Sequence, residues 1–376
     1  MELPAFTGEL EDWSTLNSSI GFPELLIGNG ASRAVWSKFA YFSLFEEAQT
    51  TRNRPLSATE LSVFRALDTS NFEQVLSALK NSIRVNAALT INSSSPRHRY
   101  FAIKEALIHA VRSVHIPWSL MPASGLERIN RVLGQYQTVY SGNYDLLNYW
   151  AIMQAPQAFE DLFRGADSTF APDNCQRQGK ATRMLYLHGG MHLVKNIDGS
   201  TRILNSSEST LLASFAINRL GDIPLFVNEG SSADKLKAIR SSDYLSFCYS
   251  QLAQPKDRLC IFGHSLAAQD QHLIQALQQA GLQTLAISIY PHNPLFITQQ
   301  KQHYNSLFAA QQVELRFFDA LSHPLGDPEL RIAGVILNND DQCVATISAR
   351  KQAARAGRQQ GRAGIIVSDW QPERVG

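Results

Sequence analysis

Leu259–Asp270 reads LCIFGHSLAAQD and sets the architecture of the whole chain. Four apolar residues, Leu259 to Phe262, run into Gly263-His264-Ser265. Behind them Leu266, Leu273, Ile274 and Leu277 fall on one helical face, and Gly281 closes that run before a second apolar stretch, Thr284–Tyr290. The pattern predicts strand, tight loop, helix, strand: a βαβ unit. In open α/β sheets ligands bind beyond the carboxyl end of such a strand. The free N–H groups of the helix start favour an anionic group such as phosphate.

Working outward, three other apolar runs end in small polar residues. Glu24–Ile27 meets Gly28-Asn29-Gly30-Ala31-Ser32-Arg33, and a helix is predicted over Ala34–Phe45. Glycines there permit a tight turn and close backbone approach to phosphate. Arg33 stands where a third glycine would complete G-x-G-x-x-G, and Glu46 and Glu47 stand at the distance of a ribose-binding acid, but on a helix. Gln137–Tyr140 leads into Ser141-Gly142-Asn143-Tyr144-Asp145, read either as crevice lining or as an Asx-type turn. Met184–Leu187 precedes His188-Gly189-Gly190, Met191–Val194, a hairpin turn at Asp198-Gly199 and Thr201–Leu204. Leu225–Gly230 predicts a strand and loop, Ser231–Leu252 a helix, and Val313–Phe317 a last strand.

Between the first two loops the period is helical. Ser57 and Glu60 form a capping box ahead of Leu61, Phe64 and Leu67, Phe72 to Leu79 continue the period, and Tyr100–Val114 is a further helix ended by Pro117. Ser93–Arg99 reads as a solvated loop. The fold class is therefore α/β: a Rossmann-like, mostly parallel sheet with helices on both faces and a helical insertion at about 50–135. Residues 1–325 form this domain. From 326 to 376 the chain becomes a basic extension, with Arg350, Lys351, Arg355, Arg358 and Arg362, read as a solvated helix or mobile tail.

Composition narrows the partners. With 44% hydrophobic and 18% charged residues the chain can bury a large core, and a net charge of +1 gives no reason to expect nucleic acid. Cys175, Cys248, Cys260 and Cys343 form no CxxC pair, so no zinc ribbon and no other metal site is expected. The acidic start MELPAFTGELEDW is not a signal peptide, and no apolar run approaches ~20 residues. A cytoplasmic protein with reduced thiols is the expectation.

Two chemistries compete for the loop at Ser265. A serine hydrolase would use Gly263-His264-Ser265-Leu266-Ala267 as a nucleophile elbow with Leu187-His188-Gly189-Gly190 as the oxyanion loop. Its acid and base would have to come from a pair such as Asp319 and His323. The second chemistry uses all four loops. Gly28-Asn29-Gly30-Ala31-Ser32, Asn143-Tyr144-Asp145, His188-Gly189 and Gly263-His264-Ser265-Leu266 with Asp270 resemble, in order, the motifs of the sirtuin-like superfamily. The series is most similar to a bacterial branch found in abortive-infection and other anti-phage proteins, which carries GNG, NYD, LHG and FGHSL with a helical insertion. Phe72-Glu73 resembles that branch too.

That resemblance implies NAD as substrate. Gly28, Asn29, Gly30 and Ser32 would contact the phosphates, and Gly263, His264, Ser265, Leu266 and Asp270 would hold the adenosine half. Asn143 and Asp145 would sit at the nicotinamide ribose, with His188 as the base. Gly142 replaces the glutamine of deacetylase sirtuins, and their four-cysteine zinc module is missing. The implied reaction is therefore cleavage of the nicotinamide–ribose bond by an anti-phage defence effector. A homo-oligomer or a defence-system partner protein is compatible with this, with no membrane involved. A non-catalytic nucleotide sensor would share most of these residues.

Overall fold

The computed structural model describes residues 8–39, 44–51, 54–160, 162–163, 168–171, 181–196, 198–204, 223–227 and 231–332. Among the described residues ten strands are formed: β1 (Glu24–Ile27), β2 (Thr138–Ser141), β3 (Phe159–Glu160), β4 (Thr182–Tyr186), β5 (Gly189–Lys195), β6 (Thr201–Ile203), β7 (Ile223–Phe226), β8 (Arg258–Phe262), β9 (Thr284–Ile289) and β10 (Glu314–Asp319). Seven of them make one sheet in the order β10-β9-β8-β1-β2-β4-β3, and every pairing in it is parallel. The central strands are buried along nearly their whole length, as a parallel sheet covered on both faces requires.

The order of strands matters for function. The chain starts at β1 in the middle, builds outward through β2 and β4, then returns to add β8, β9 and β10 on the other side of β1. The topological switch point, where ligands bind in such sheets, falls between β1 and β8. Their loops are the glycine loops at Gly28 and Gly263.

Helix α1 (Trp13–Ile20) is capped by Asp12, and α2 (Asn29–Val35) starts inside the first glycine loop with Gly28 at its cap. The helix expected from Ala34 thus begins earlier and stops at Trp36. The polar, helix-poor residues Asn29, Gly30 and Ser32 are held helical by packing that propensity does not register. α3 (Leu44–Thr50), α4 (Ala58–Ala66), α5 (Phe72–Ala88), α6 (Ser94–Val114) and α7 (Ala123–Leu133) make the insertion before β2. The Ser57–Glu60 capping box is present. Ser93–Arg99, expected as a loop, is instead the cap and first turns of α6. Glu47 accepts a hydrogen bond from Ser113 Oγ at 2.7 Å, within the insertion.

α8 (Leu147–Ile152) follows the second motif loop. The single helix expected over Ser231–Leu252 is two, α9 (Ser232–Arg240) and α10 (Asp243–Ala253), because the Ser242 side chain accepts from Leu245 N–H and starts a new helix. α11 (Gln271–Gln279) and α12 (Pro294–Phe308) complete the set. The hairpin at Asp198-Gly199 is present, but β5, β6 and β7 form a separate antiparallel sheet in the order β6-β5-β7. Glu73 on α5 accepts from Lys195 Nζ at 2.8 Å and ties the insertion to that sheet.

The compact unit reaches Ile332, just past the boundary expected at Gly326. Leu330 is buried, Ile332 N–H donates to Val35 O, and Arg128 pairs with Asp327 and Glu329. The basic run at 350–362, Cys175 and Cys343 lie outside the described residues. Cys248 and Cys260 are buried and form no disulfide among the described residues. Among the described residues no helix is long and apolar enough to cross a membrane.

Candidate functional site

The four motif loops follow β1, β2, β4 and β8, which are neighbours in the sheet, so all four meet at one end of it. Backbone hydrogen bonds lace them together. Gly28 N–H donates to Phe262 O at 2.9 Å, Gly30 N–H to Gly263 O at 2.7 Å, and Gly142 N–H to Ile27 O at 2.9 Å. Leu187 N–H donates to Ser141 O at 2.8 Å, and Met191 N–H to Tyr144 O at 2.9 Å.

The two glycine loops are packed backbone on backbone. A Cβ on Gly28 would stand 2.5 Å from His264 Cα, and one on Gly30 would stand 2.7 Å from Gly263 Cα. Gly263 also has φ +67°, a left-handed conformation that side chains other than glycine's resist. Here the glycines serve the approach of one loop to the other. The Gly28 and Gly30 amides point at carbonyls of the neighbouring loop, so they are not available to phosphate as the motif reading had it.

Ser32, Asn143 and Asp145 come together in a buried knot. Asn143 Nδ2 donates to Ser32 Oγ at 2.9 Å and to Gly28 O at 3.1 Å, and Ser32 Oγ donates to Asp145 Oδ2 at 2.5 Å. Leu147 N–H donates to Asp145 Oδ1 at 2.9 Å. Burial raises the Asp145 pKa, while the Ser32 and Leu147 bonds favour the carboxylate. Asn143 Oδ1 is buried and has no hydrogen-bond partner among the described residues. Asn29, expected at the phosphates, instead donates from Nδ2 to Phe39 O at 2.7 Å.

His188 and Asp270 belong to a second buried group that sequence reading missed in part. His188 Nε2 and His272 Nε2 lie 2.9 Å apart and share one hydrogen bond, and His272 Nδ1 lies 3.1 Å from Ser232 Oγ. Asp270 Oδ1 accepts from Lys235 Nζ at 2.9 Å, and Asp270 Oδ2 lies 3.9 Å from His264 Nε2. Burial pushes His188 down to about 3 and His272 to about 4, so both rings are neutral at pH 7. Against burial, His188, His264 and Lys235 hold the Asp270 carboxyl below its ordinary range, with Lys235 the standing cation. Ligand atoms of His188, Asp270 and His272 lie within 4.8 Å of one another, a donor set that suits a transition metal. The Lys235 ammonium already balances the carboxylate there, and a metal would have to displace it.

His264 and Ser265 face the open side. A cavity of about 650 Å³ lies at the β1/β8 switch point, lined among others by Gly30, Arg33, Gly263, His264, Ser265 and Arg331. This volume is within the range of small-molecule sites. Neither the Arg33 nor the Arg331 guanidinium has an acidic partner among the described residues, and both are exposed. Tyr290 and Phe296 add aromatic surface from the β9–α12 connection. Sequence reading treated Arg33 as a motif defect and gave Tyr290 as the end of an apolar stretch. Arg331 carried no signal at all, since only the folded chain brings it to this cavity.

The serine-hydrolase geometry is not assembled. Ser265 is exposed, and His303 Nε2 meets its carbonyl oxygen at 3.1 Å; no histidine bonds its hydroxyl among the described residues. Leu266, not Ser265, holds the positive φ (+47°), with its N–H on His264 Nδ1 and its side chain in the core. Asp319 accepts from Leu321 N–H, and His323 is buried on Tyr136 OH and stacked on Phe262.

A family model described as a domain of unknown function (DUF4917) matches residues 25–325. The chain belongs to the DUF4917 family. The match runs from β1 to just beyond β10 and so takes in all four motif loops and the helical insertion. A comparison with the curated proteins finds no match.

Buried histidines also set how this DUF4917 chain responds to acid. Burial pushes His115 and His272 to about 4, His188, His192 and His323 to about 3, and His264 down. The unfolded chain takes up protons on these rings as pH falls through about 6.5, whereas the native chain does not. Their contribution to stability is intact above that pH and is lost as pH falls towards 4 and then 3. Urea midpoints measured from pH 7.5 downward should hold level and then fall steadily below about pH 6.5, with an unchanged denaturant slope.

Proposed function

We propose that the chain binds NAD at the β1/β8 switch point and hydrolyses its nicotinamide–ribose bond. The observation that carries this reading is the cavity of about 650 Å³ at that point, where the Arg33 and Arg331 guanidiniums, without an acidic partner among the described residues, suit a pyrophosphate. The adenosine half would lie along Ser265, Tyr290 and Phe296. The ribose to be cleaved would be presented towards Asn143, Asp145 and His188, and those loops must part to admit it because all three side chains are buried.

The chemistry asks for little else. As the C–N bond to nicotinamide breaks, the ribose becomes oxocarbenium-like, and a nearby carboxylate, Asp145, stabilises that charge. Asn143 Oδ1, without a partner in the free protein, can accept a hydrogen bond from the attacking water and aim it at the anomeric carbon. The neutral His188–His272 pair can take up the proton that the water releases. The products are nicotinamide, ADP-ribose and a proton. Consumption of NAD suits the defence role that the motif series implies.

Calorimetric titration with NAD tests the binding half. Arg33→Ala and Arg331→Ala should each weaken NAD by about tenfold or more, since hydrogen bonds to charged groups contribute about 1.5–3 kcal/mol. Ser265→Ala should weaken it by about 1 kcal/mol, one neutral hydrogen bond, with turnover at saturation kept. Fluorophosphonate should leave Ser265 unlabelled. Unchanged affinity in both arginine variants would show that the cavity is not the phosphate site.

A further inference from the structure

A second cavity, of about 340 Å³, lies where the edge of the large sheet meets the small one, between β3, β4, β5 and α8. It shares no lining residue with the cavity at the switch point. Tyr149, Phe159 and Tyr186 give it flat aromatic walls, Met184 adds apolar surface, and Glu160 and His192 also line it. Glu160 Oε2 accepts from Arg183 Nε and Nη2, both at 3.1 Å, so its charge is balanced.

His192 is different. It is fully buried, and neither ring nitrogen has a hydrogen-bond partner among the described residues. Burial pushes its pKa down to about 3, so it is a neutral ring with one N–H donor and one bare nitrogen acceptor. The ring cannot turn away to find partners. It stacks on Tyr149 (centroids 4.7 Å apart, planes at 23°) and meets Tyr186 at 4.3 Å and 66°. Space for it depends on Gly190, where a Cβ would stand 2.6 Å from His192 Cε1. Buried polar groups with both capacities unmade are rare and unfavourable in folded proteins. A fixed, unsatisfied imidazole facing an aromatic-walled space marks a place that another molecule completes.

We propose that this cavity binds a neutral, flat aromatic small molecule whose hydroxyl or amide group hydrogen-bonds to His192. Neutrality follows from the balanced Glu160–Arg183 pair, which leaves no charge for a ligand to offset. Flatness follows from the aromatic walls, and one or two rings fit the volume. The site is independent of the NAD reading and stands or falls separately from it.

Phenol is the probe, with toluene as the comparison that lacks a hydroxyl, titrated into the full chain and followed by ligand-observed NMR. Wild type should bind phenol roughly tenfold more tightly than toluene, the worth of one hydrogen bond. His192→Leu should bring phenol down to the affinity of toluene. A second readout does not depend on the folding of His192→Leu: in ¹⁵N-histidine spectra of the wild-type chain, phenol should shift the two His192 nitrogens. Equal affinity for phenol and toluene would overturn the proposal. So would His192 nitrogens unmoved by phenol, the result expected if water alone completes the ring.

Discussion

Asn143→Ala should slow nicotinamide release from NAD by about a hundredfold while leaving NAD affinity close to wild type. In the free protein the Asn143 side chain spends its two donors on Ser32 Oγ and Gly28 O and keeps Oδ1 unpaired in a buried setting. That leaves one acceptor, fixed in place, for the attacking water. Misplacing a reacting group by about 1 Å can cost 10²-fold, so the loss should appear in kcat and not in KM. His188→Ala should fall by a similar or larger factor, since removing a general base typically costs 10²–10⁴. Thermal melts of both variants separate this outcome from unfolding, because the hydrogen bonds lost with Asn143 contribute about 0.5–1.5 kcal/mol each. Wild-type turnover by a folded Asn143→Ala chain would remove Asn143 from the chemistry.

Lys235→Met should destabilise the fold by about 3–5 kcal/mol, the usual effect of stranding one member of a buried ion pair. Lys235 and Asp270 side chains are 3% and 1% exposed, and Nζ sits 2.9 Å from Oδ1. With the ammonium gone, the Asp270 carboxylate faces the His264 ring at 3.9 Å and the His188 and His272 rings within 4.8 Å, all of them held neutral by burial. Asp270 stands at the N-cap position of α11, without a side-chain capping bond, and α11 carries His272 against His188, so the loss also loosens the base. Lys235→Met combined with Asp270→Asn should recover much of the stability, because the uncompensated charge is then absent. Urea unfolding of the two single variants and the double variant measures the coupling. A single-variant loss below about 1 kcal/mol, the range of exposed pairs, would show that the pair is not buried as described.

The parts of this fold that show in the sequence are those with a strong period or a strong stop. Glu24–Ile27, Gln137–Tyr140, Met184–Leu187 and Leu259–Phe262 became parallel strands, and the small residues after them became the loops at one sheet end. Ser57 and Glu60 made the predicted box. Other features depend on contacts that sequence spacing does not encode. α2 begins at Asn29 because the second glycine loop presses on Gly28 and Gly30 from β8, far away in the chain. The segment after His188-Gly189 reads as a hairpin with its turn at Asp198-Gly199, but its spacing does not show that β5 turns off at Gly189, where φ is +73°, and pairs antiparallel with β7 as well.

The candidate site divides the same way. Asn143, Asp145 and Ser32 were legible as motif residues, and they do meet. Arg33, Arg331, His272, Lys235 and His192 were not. Arginine and lysine are common on surfaces, and a single histidine on an apolar strand gives no signal of whether its nitrogens find partners. Only the packed chain shows two guanidiniums at one cavity and one imidazole with nothing to bond.

Incubation of the purified wild-type chain with NAD, followed by chromatography of the nucleotides, tests the central claim most directly. The account predicts loss of NAD matched mole for mole by nicotinamide and ADP-ribose, with the rate collapsing in Asn143→Ala and His188→Ala. Intact NAD after prolonged incubation, together with fluorophosphonate labelling of Ser265, would contradict it.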